Sequence, residues 1–277
     1  MDPVDIRRLA GFWALGLSNV DAEPILGILP TDKSKYPYIV GIAVENINGI
    51  VGDHICTGTL ISGWHVLTAA KCTEISHGNN LVVNVRESTE GGVNFKTIPI
   101  STYQTFPQWY KDKHQEVITQ LERSNVAILT LSRYIDVKPL RTKSRRKSES
   151  ESKYAFLGWG HIKHSIEPKF PQKTFLTTLS NKDCEAQART ILPQSTKFTV
   201  PFGLVCATTK SGAMLANGDF GGPVFSSSDK HLRVVMGIVT RRVAMIDEDH
   251  IDPRQPALIL PLDEFREFIL DVVKTHN

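Results

Sequence analysis

Gly218-Asp219-Phe220-Gly221-Gly222-Pro223 is the stretch on which the reading of this 277-residue chain turns. Three glycines and a proline around one acid and one aromatic ring make a tight, fixed-course loop. Six further segments stand before it in order: Tyr36-Pro-Tyr-Ile-Val40, Cys56-Thr-Gly-Thr-Leu-Ile-Ser62, Leu67-Thr-Ala-Ala-Lys-Cys72, Ser124-Asn-Val-Ala-Ile-Leu-Thr-Leu131, Leu157-Gly-Trp-Gly160 and Leu204-Val-Cys-Ala207. Short apolar runs rich in Val and Ile recur at 39–44, 65–70, 81–85, 126–131, 154–157, 234–239 and 257–260. Gly, Pro, Ser and Asn clusters separate them, which predicts many short strands of a barrel or sandwich. Only the end reads as helix: Leu262, Phe265, Ile269 and Val272 share one face, and Asp263 after Pro261 is a candidate N-cap.

These segments together resemble the trypsin-like serine protease family, from about Ile25 to the C-terminus. The loop resembles Gly-Asp-Ser-Gly-Gly-Pro, whose third residue is the attacking serine, and here that residue is Phe220. Leu67 to Cys72 is similar to Leu-Thr-Ala-Ala-His-Cys, with Lys71 where the family carries its general base. Ser124 to Leu131 resembles Asn-Asp-Ile-Ala-Leu-Leu-x-Leu, with Asn125 where the family carries the orienting aspartate. The resemblance implies an all-β fold of two antiparallel six-stranded β-barrels with a C-terminal α-helix. It also implies disulfides Cys56–Cys72 and Cys184–Cys206. A third family bridge beside the substrate pocket is absent, since Ala216 occupies its first position.

The chemistry of the template needs a hydroxyl nucleophile, a base titrating near neutral pH and an acceptor that orients it. A phenyl ring has no lone pair to form an acyl-enzyme, and a lysine with an ordinary pKa of about 10.4 holds its proton. No catalytic residue is intact, and the expectation is a chain without proteolytic activity. Lys71, Asn125 and Phe220 are expected to form a plug, the Lys71 ammonium donating to the Asn125 side chain and lying over the Phe220 ring.

The former substrate cleft, by the same resemblance, comprises Met214, Gly218, Asp219, Thr240, Arg241 and Arg242. Met214 stands at the pocket floor in place of a charged specificity residue. Gly237-Ile-Val-Thr-Arg-Arg242 resembles Gly-Ile-Val-Ser-Trp-Gly, so two cations replace a tryptophan and a glycine. Lys71, Arg241 and Arg242 suggest an acidic ligand at the cleft, against which Asp247, Glu248, Asp249 and Asp252 stand as neutralising charges.

Arg7-Arg8, the apolar run Leu9 to Leu17 and Asn19-Val-Asp-Ala22 form a signal-peptide pattern over 1–22, too short to span a bilayer. The domain then runs 23–277, with barrel 1 at about 25–135, a basic linker at 138–153, barrel 2 at about 154–261 and a helix at about 262–274. The linker reads as solvated; the sharper readings are a dibasic processing site at Arg145-Arg146 or a patch for a polyanionic partner. Four cysteines fit a secreted protein. Removal of Glu23-Pro24 would free an amine at Ile25 for Asp219. A net charge of +3 is too small to argue for nucleic acid.

The expected protein is therefore a secreted, extracellular monomer without metal, cofactor, membrane or nucleic-acid partner. It binds an active protease, an inhibitor or another cascade component as adaptor, cofactor or decoy. One rival is a residual hydrolase with a relocated nucleophile, Ser211 or Thr240, and another is a structural or storage protein of a secretion. His161 and His164 read as surface residues and His65 as a core residue.

Overall fold

The computed structural model describes residues 29–30, 36–75, 80–89, 92–142, 153–160, 170–209, 215–216, 218–243 and 255–275. Strand β1 (Leu29–Pro30) is followed by β2 (Ile39–Glu45), β3 (Val51–Leu60), β4 (His65–Thr68), β5 (Asn80–Thr89), β6 (Gly92–Thr105) and β7 (Ala127–Leu131). The last six close an antiparallel barrel in the order β2-β3-β4-β7-β6-β5. Then come β8 (Arg141–Thr142), β9 (Lys153–Gly158), β10 (Gln172–Thr178), β11 (Val205–Thr209), β12 (Pro223–Ser226), β13 (Val234–Arg242) and β14 (Ala257–Pro261). Pairing of β9 with β10 closes a second barrel, β9-β10-β11-β14-β13-β12. The two six-stranded barrels expected from the sequence are both present.

Each run of apolar residues read as a strand lies in one, because near-continuous Val, Ile and Leu suit strands buried on both faces. Val82, Val83, Ile128 and Leu129 are fully enclosed in the first barrel, and Ala155, Leu157, Ile238 and Leu258 in the second. Two edges of the fold depart from expectation. β1 pairs with β10, so residues 29–30 extend the second sheet although they precede the first barrel in the chain. The start of the basic linker is also ordered: Leu140 is buried, its amide bonds to the Leu60 carbonyl, and β8 joins β13 in parallel. A single leucine in a charged run suffices to dock it. Residues 143–152 lie outside the described residues, as does the proposed signal peptide.

Helices are more numerous than the sequence suggested. α1 (Lys71–Glu74) is one turn, α2 (Phe106–His114) is capped by Thr105 with a proline in its first turn, and α3 (Asn181–Ile191) is capped by Ser180. The Ser180 hydroxyl oxygen accepts from the Asp183 amide at 3.1 Å. At the C-terminus a 3-10 turn, Asp263–Phe265, leads into α4 (Arg266–Lys274). Asp263 therefore opens that turn and does not cap the helix. Phe265, Phe268, Ile269 and Val272 are buried, with Phe265 and Phe268 meeting Phe106 of α2 at 4.7 and 5.6 Å between ring centroids. Cys56–Cys72 and Cys184–Cys206 are bonded, each closing a loop worth about 3 kcal/mol by chain entropy.

Candidate functional site

The loop Gly218 to Pro223 enters β12 at the junction of the barrels, and its course demands glycine at two points. Gly218 has φ +90° and Gly221 φ +81°; a Cβ at Gly221 would sit 2.5 Å from the Thr57 carbonyl oxygen. The Gly221 amide donates to the Val239 carbonyl at 2.8 Å, and the Val239 amide returns a bond to the Gly222 carbonyl at 2.9 Å. The loop is thereby stitched to β13. On its other side Thr57 of β3 holds it: the Thr57 amide donates to the Phe220 carbonyl at 2.8 Å, and the Thr57 hydroxyl donates to the Gly218 carbonyl at 2.7 Å. That hydroxyl also accepts from the Trp159 amide at 2.9 Å. Thr57, absent from the residues singled out in the sequence, is thus the node between the barrels, and the signal was a threonine where the resembling segment carries glycine.

Of the three positions that the sequence aligned with the template triad, Lys71 and Asn125 meet, and by a different geometry from the expected plug. Lys71 is the first residue of α1 and its side chain is exposed. What reaches Asn125 is the Lys71 backbone amide, which donates to the Asn125 side-chain oxygen at 2.8 Å. Asn125 follows a 3-10 turn, Leu121–Ser124, and is held at the start of α1 by this bond. Phe220 is half-buried and packs against two apolar clusters, a large one that spans both barrels and a smaller one within the second. The cation over its ring is the guanidinium of Arg242, 5.9 Å from the centroid. The side chain of Lys71 leaves toward solvent because a helix-starting residue on the surface has no reason to bury its charge.

The remaining cleft residues diverge in the same way. Arg241, partly exposed, pairs through Nη1 with Glu122 of the 3-10 turn. This ion pair joins the rim of the first barrel to β13 of the second. Arg242 is 4% exposed and acts on Asp219 as the nearby positive charge. The Thr240 hydroxyl donates to the Leu258 carbonyl at 3.2 Å within the second barrel, which directs it inward. One cation on the surface, one paired and one buried do not make the shared anion pocket expected of Lys71, Arg241 and Arg242. Met214, Ser211, Ile25, His161, His164, Asp247, Glu248, Asp249 and Asp252 lie outside the described residues. His65 is 1% exposed and its Nδ1 lies 2.7 Å from the Ser62 hydroxyl, a core residue as read.

Asp219 is the most perturbed acid described. Burial pushes its pKa up to about 7, although the amides of Ala216 and Gly160, each 2.8 Å from a carboxyl oxygen, and the charge of Arg242 all favour the anion. Its pocket is as tight as a pocket can be: a Cβ on Gly158 or Gly160 would lie within 2.2 Å of a carboxyl oxygen. Among the described residues no group of three or more His, Cys, Asp or Glu side chains could hold a metal ion.

Comparison with known proteins agrees with this architecture. The family model described as Trypsin matches residues 25–269. Kallikrein 1-related peptidase b8 of Mus musculus is 27% identical, over 98% of this chain and 100% of its own length. Glucanase inhibitor protein 2 of Phytophthora sojae is 26% identical over 79% of this chain and 71% of its own, and Venom serine protease Bi-VSP of Bombus ignitus 27% over 76% and 59%. With the barrels, the two disulfides and the loop at their junction already in place, a match over this span means that the chain belongs to the trypsin family.

Proposed function

We propose that this protein is a non-catalytic member of the trypsin family that acts by binding another protein. The observation that carries the reading is the setting of Phe220. The residue at the nucleophile position is a half-buried ring packed against two apolar clusters, with its carbonyl tied to Thr57 and an arginine over its face. No hydroxyl and no histidine stands at the positions of the template triad. Template chemistry that loses one of its two principal members loses turnover on the order of 10^6. The Arg241–Glu122 pair supports the same reading, since it ties Arg241, a residue of the former substrate cleft by resemblance, to the 3-10 turn of the first barrel.

Secretion is part of the proposal. It is supported by the N-terminal signal pattern, by two disulfides, and by the absence, among the described residues, of any helix long and apolar enough to cross a membrane. A relative named as an inhibitor protein shows that the family includes members named for something other than proteolysis. The role proposed here is that of adaptor, cofactor or decoy for an active protease, an inhibitor or another component of an extracellular cascade.

The test is fluorophosphonate labelling of the secreted protein beside an active trypsin-like enzyme. No incorporation is expected; stoichiometric incorporation overturns the reading and favours a relocated nucleophile. Affinity capture from the native fluid with the wild type and with Lys71→His, Asn125→Asp, Phe220→Ser then locates the binding surface. Capture that survives all three substitutions places it outside the cleft.

A further inference from the structure

Away from the cleft, the segment between α2 and the 3-10 turn at 121–124 arches over a hollow of about 380 Å³. Phe106 and Tyr110 of α2, with ring centroids 5.9 Å apart, line it together with Glu116, Val117, Arg123 and Glu264. The charges of the lining are unequal in availability. Arg123 spends its guanidinium on Glu264, donating to both carboxyl oxygens at 2.7 and 2.8 Å. Glu116 accepts only a long bond from the Tyr110 hydroxyl, 3.4 Å, and forms no ion pair with any described cation. The lining thus sets aromatic rings beside a net negative charge, carried by Glu116.

Large apolar side chains are exposed in its lining and on the elements beside it. Val117 is 72% exposed and Leu121 66% exposed, while Phe202, 78% exposed, stacks beneath Arg123 with its ring centroid 5.0 Å from the guanidinium carbon. Exposed apolar residues gathered beside a concavity mark interaction sites. A free amine or metal would use the hollow but leave this rim uncovered.

We propose that this hollow takes a lysine or arginine side chain, flanked by apolar residues, from an extended segment of a partner protein. The aliphatic stem lies along Phe106 and Tyr110, the charged head meets Glu116, and the flanking apolar residues cover Val117, Leu121 and Phe202. This rests on the reading of the chain as a binding protein and gives that reading a surface and a partner chemistry.

The experiment is an amide NMR titration of the full chain with two synthetic peptides, acetyl-Gly-Leu-Leu-Lys-Leu-Leu-Gly-amide and its counterpart with Glu for Lys. The lysine peptide is expected to give saturable shifts at Tyr110, Glu116, Val117 and Glu264, and the glutamate peptide none. Glu116→Gln, a surface change, is expected to weaken binding about tenfold, with an unchanged melting temperature as the fold control. Equal binding of both peptides, no saturable shift, shifts centred on Lys71, Phe220 and Arg241, or affinity unchanged in E116Q each overturn the site. Labelling by fluorophosphonate on the same sample separates the two readings. Incorporation refutes the non-catalytic function without touching the site, and a failed titration without incorporation refutes the site alone.

Discussion

The side-chain oxygen of Asn125 accepts a 2.8 Å hydrogen bond from the backbone amide of Lys71, the first residue of α1. The bond ties the end of the 3-10 turn to a helix whose own N-cap, Ala70, offers no side-chain acceptor. Asn125 thus does the work of a cap from 54 residues away. Asn125→Ala is expected to destabilise the fold by about 1 kcal/mol, and Asn125→Asp, which keeps the acceptor and adds a negative charge at a helix start, by nothing measurable. Urea unfolding at neutral pH measures both; a loss in N125D as large as in N125A would show that the acceptor is not what matters.

Phe220 touches both apolar clusters while remaining half-exposed, so truncating it removes contacts without opening a sealed cavity. Phe220→Ala is expected to cost about 1–3 kcal/mol, below the range for fully buried phenylalanine. The restored triple variant with His, Asp and Ser at 71, 125 and 220 is expected to hydrolyse peptides very slowly, because Arg241 at the former cleft remains tied to Glu122 of the first barrel. Adding Arg241→Trp is expected to raise kcat/KM of that variant; no change would show that the ion pair is no obstacle.

Much of this fold could be read from the sequence because its strands are local events. The run from Val126 to Leu131 is a strand whatever it pairs with, and so are 154–157 and 257–260. β6 escaped notice because Gly92 to Thr105 is polar and carries Pro99; its pairing with β5 and β7, not its composition, makes it a strand. α3 was legible in Ser180 and Asp183, a serine cap three residues before an acid, but its helix is too polar to announce itself by an apolar stripe. At the site, the identities of Lys71, Asn125, Phe220, Arg241 and Arg242 were readable and their directions were not. Whether Lys71 or Arg242 lies over Phe220 depends on where each backbone starts. The partner of Arg241 lies 119 residues earlier in the chain, beyond the reach of any motif.

The Arg241–Glu122 pair is held by side chains 37% and 47% exposed, so water screens it. A double-mutant cycle with Arg241→Ala and Glu122→Ala is expected to give a coupling of about 0.5–1 kcal/mol that fades in 1 M salt. Coupling indistinguishable from zero at low salt would mean that the pair adds nothing to the hold of the first barrel on β13.

Thr57 is fully buried, and its hydroxyl serves the Gly218 carbonyl and the Trp159 amide at once. Thr57→Val preserves volume and leaves the Trp159 N–H without its acceptor inside the protein, which is expected to cost about 2–4 kcal/mol. Thr57→Ser retains the hydroxyl and should recover most of that loss. Destabilisation by serine with none by valine would assign the role of Thr57 to its methyl packing and not to its hydroxyl.

Asp219 makes stability depend on pH in a direction opposite to that of an ordinary paired carboxylate. Its ordinary pKa is 3.8 and burial raises it to about 7, so between those values the folded state holds a proton that the unfolded state has released. A group bound to more protons when folded contributes stability that is complete below about pH 4, falls as pH rises, and levels off above about pH 7. The wild type minus Asp219→Asn difference in unfolding free energy is therefore expected to decline across that window, by up to several kcal/mol, and to be flat outside it. Asparagine also loses one of the two amide bonds from Ala216 and Gly160, which lowers the variant at every pH but adds no slope. Arg242→Met removes the charge that favours the anion and should carry the decline to higher pH. A difference curve that instead rises from pH 4 to 7 would mean that Arg242 and the two amides outweigh burial, and that Asp219 is ionised throughout.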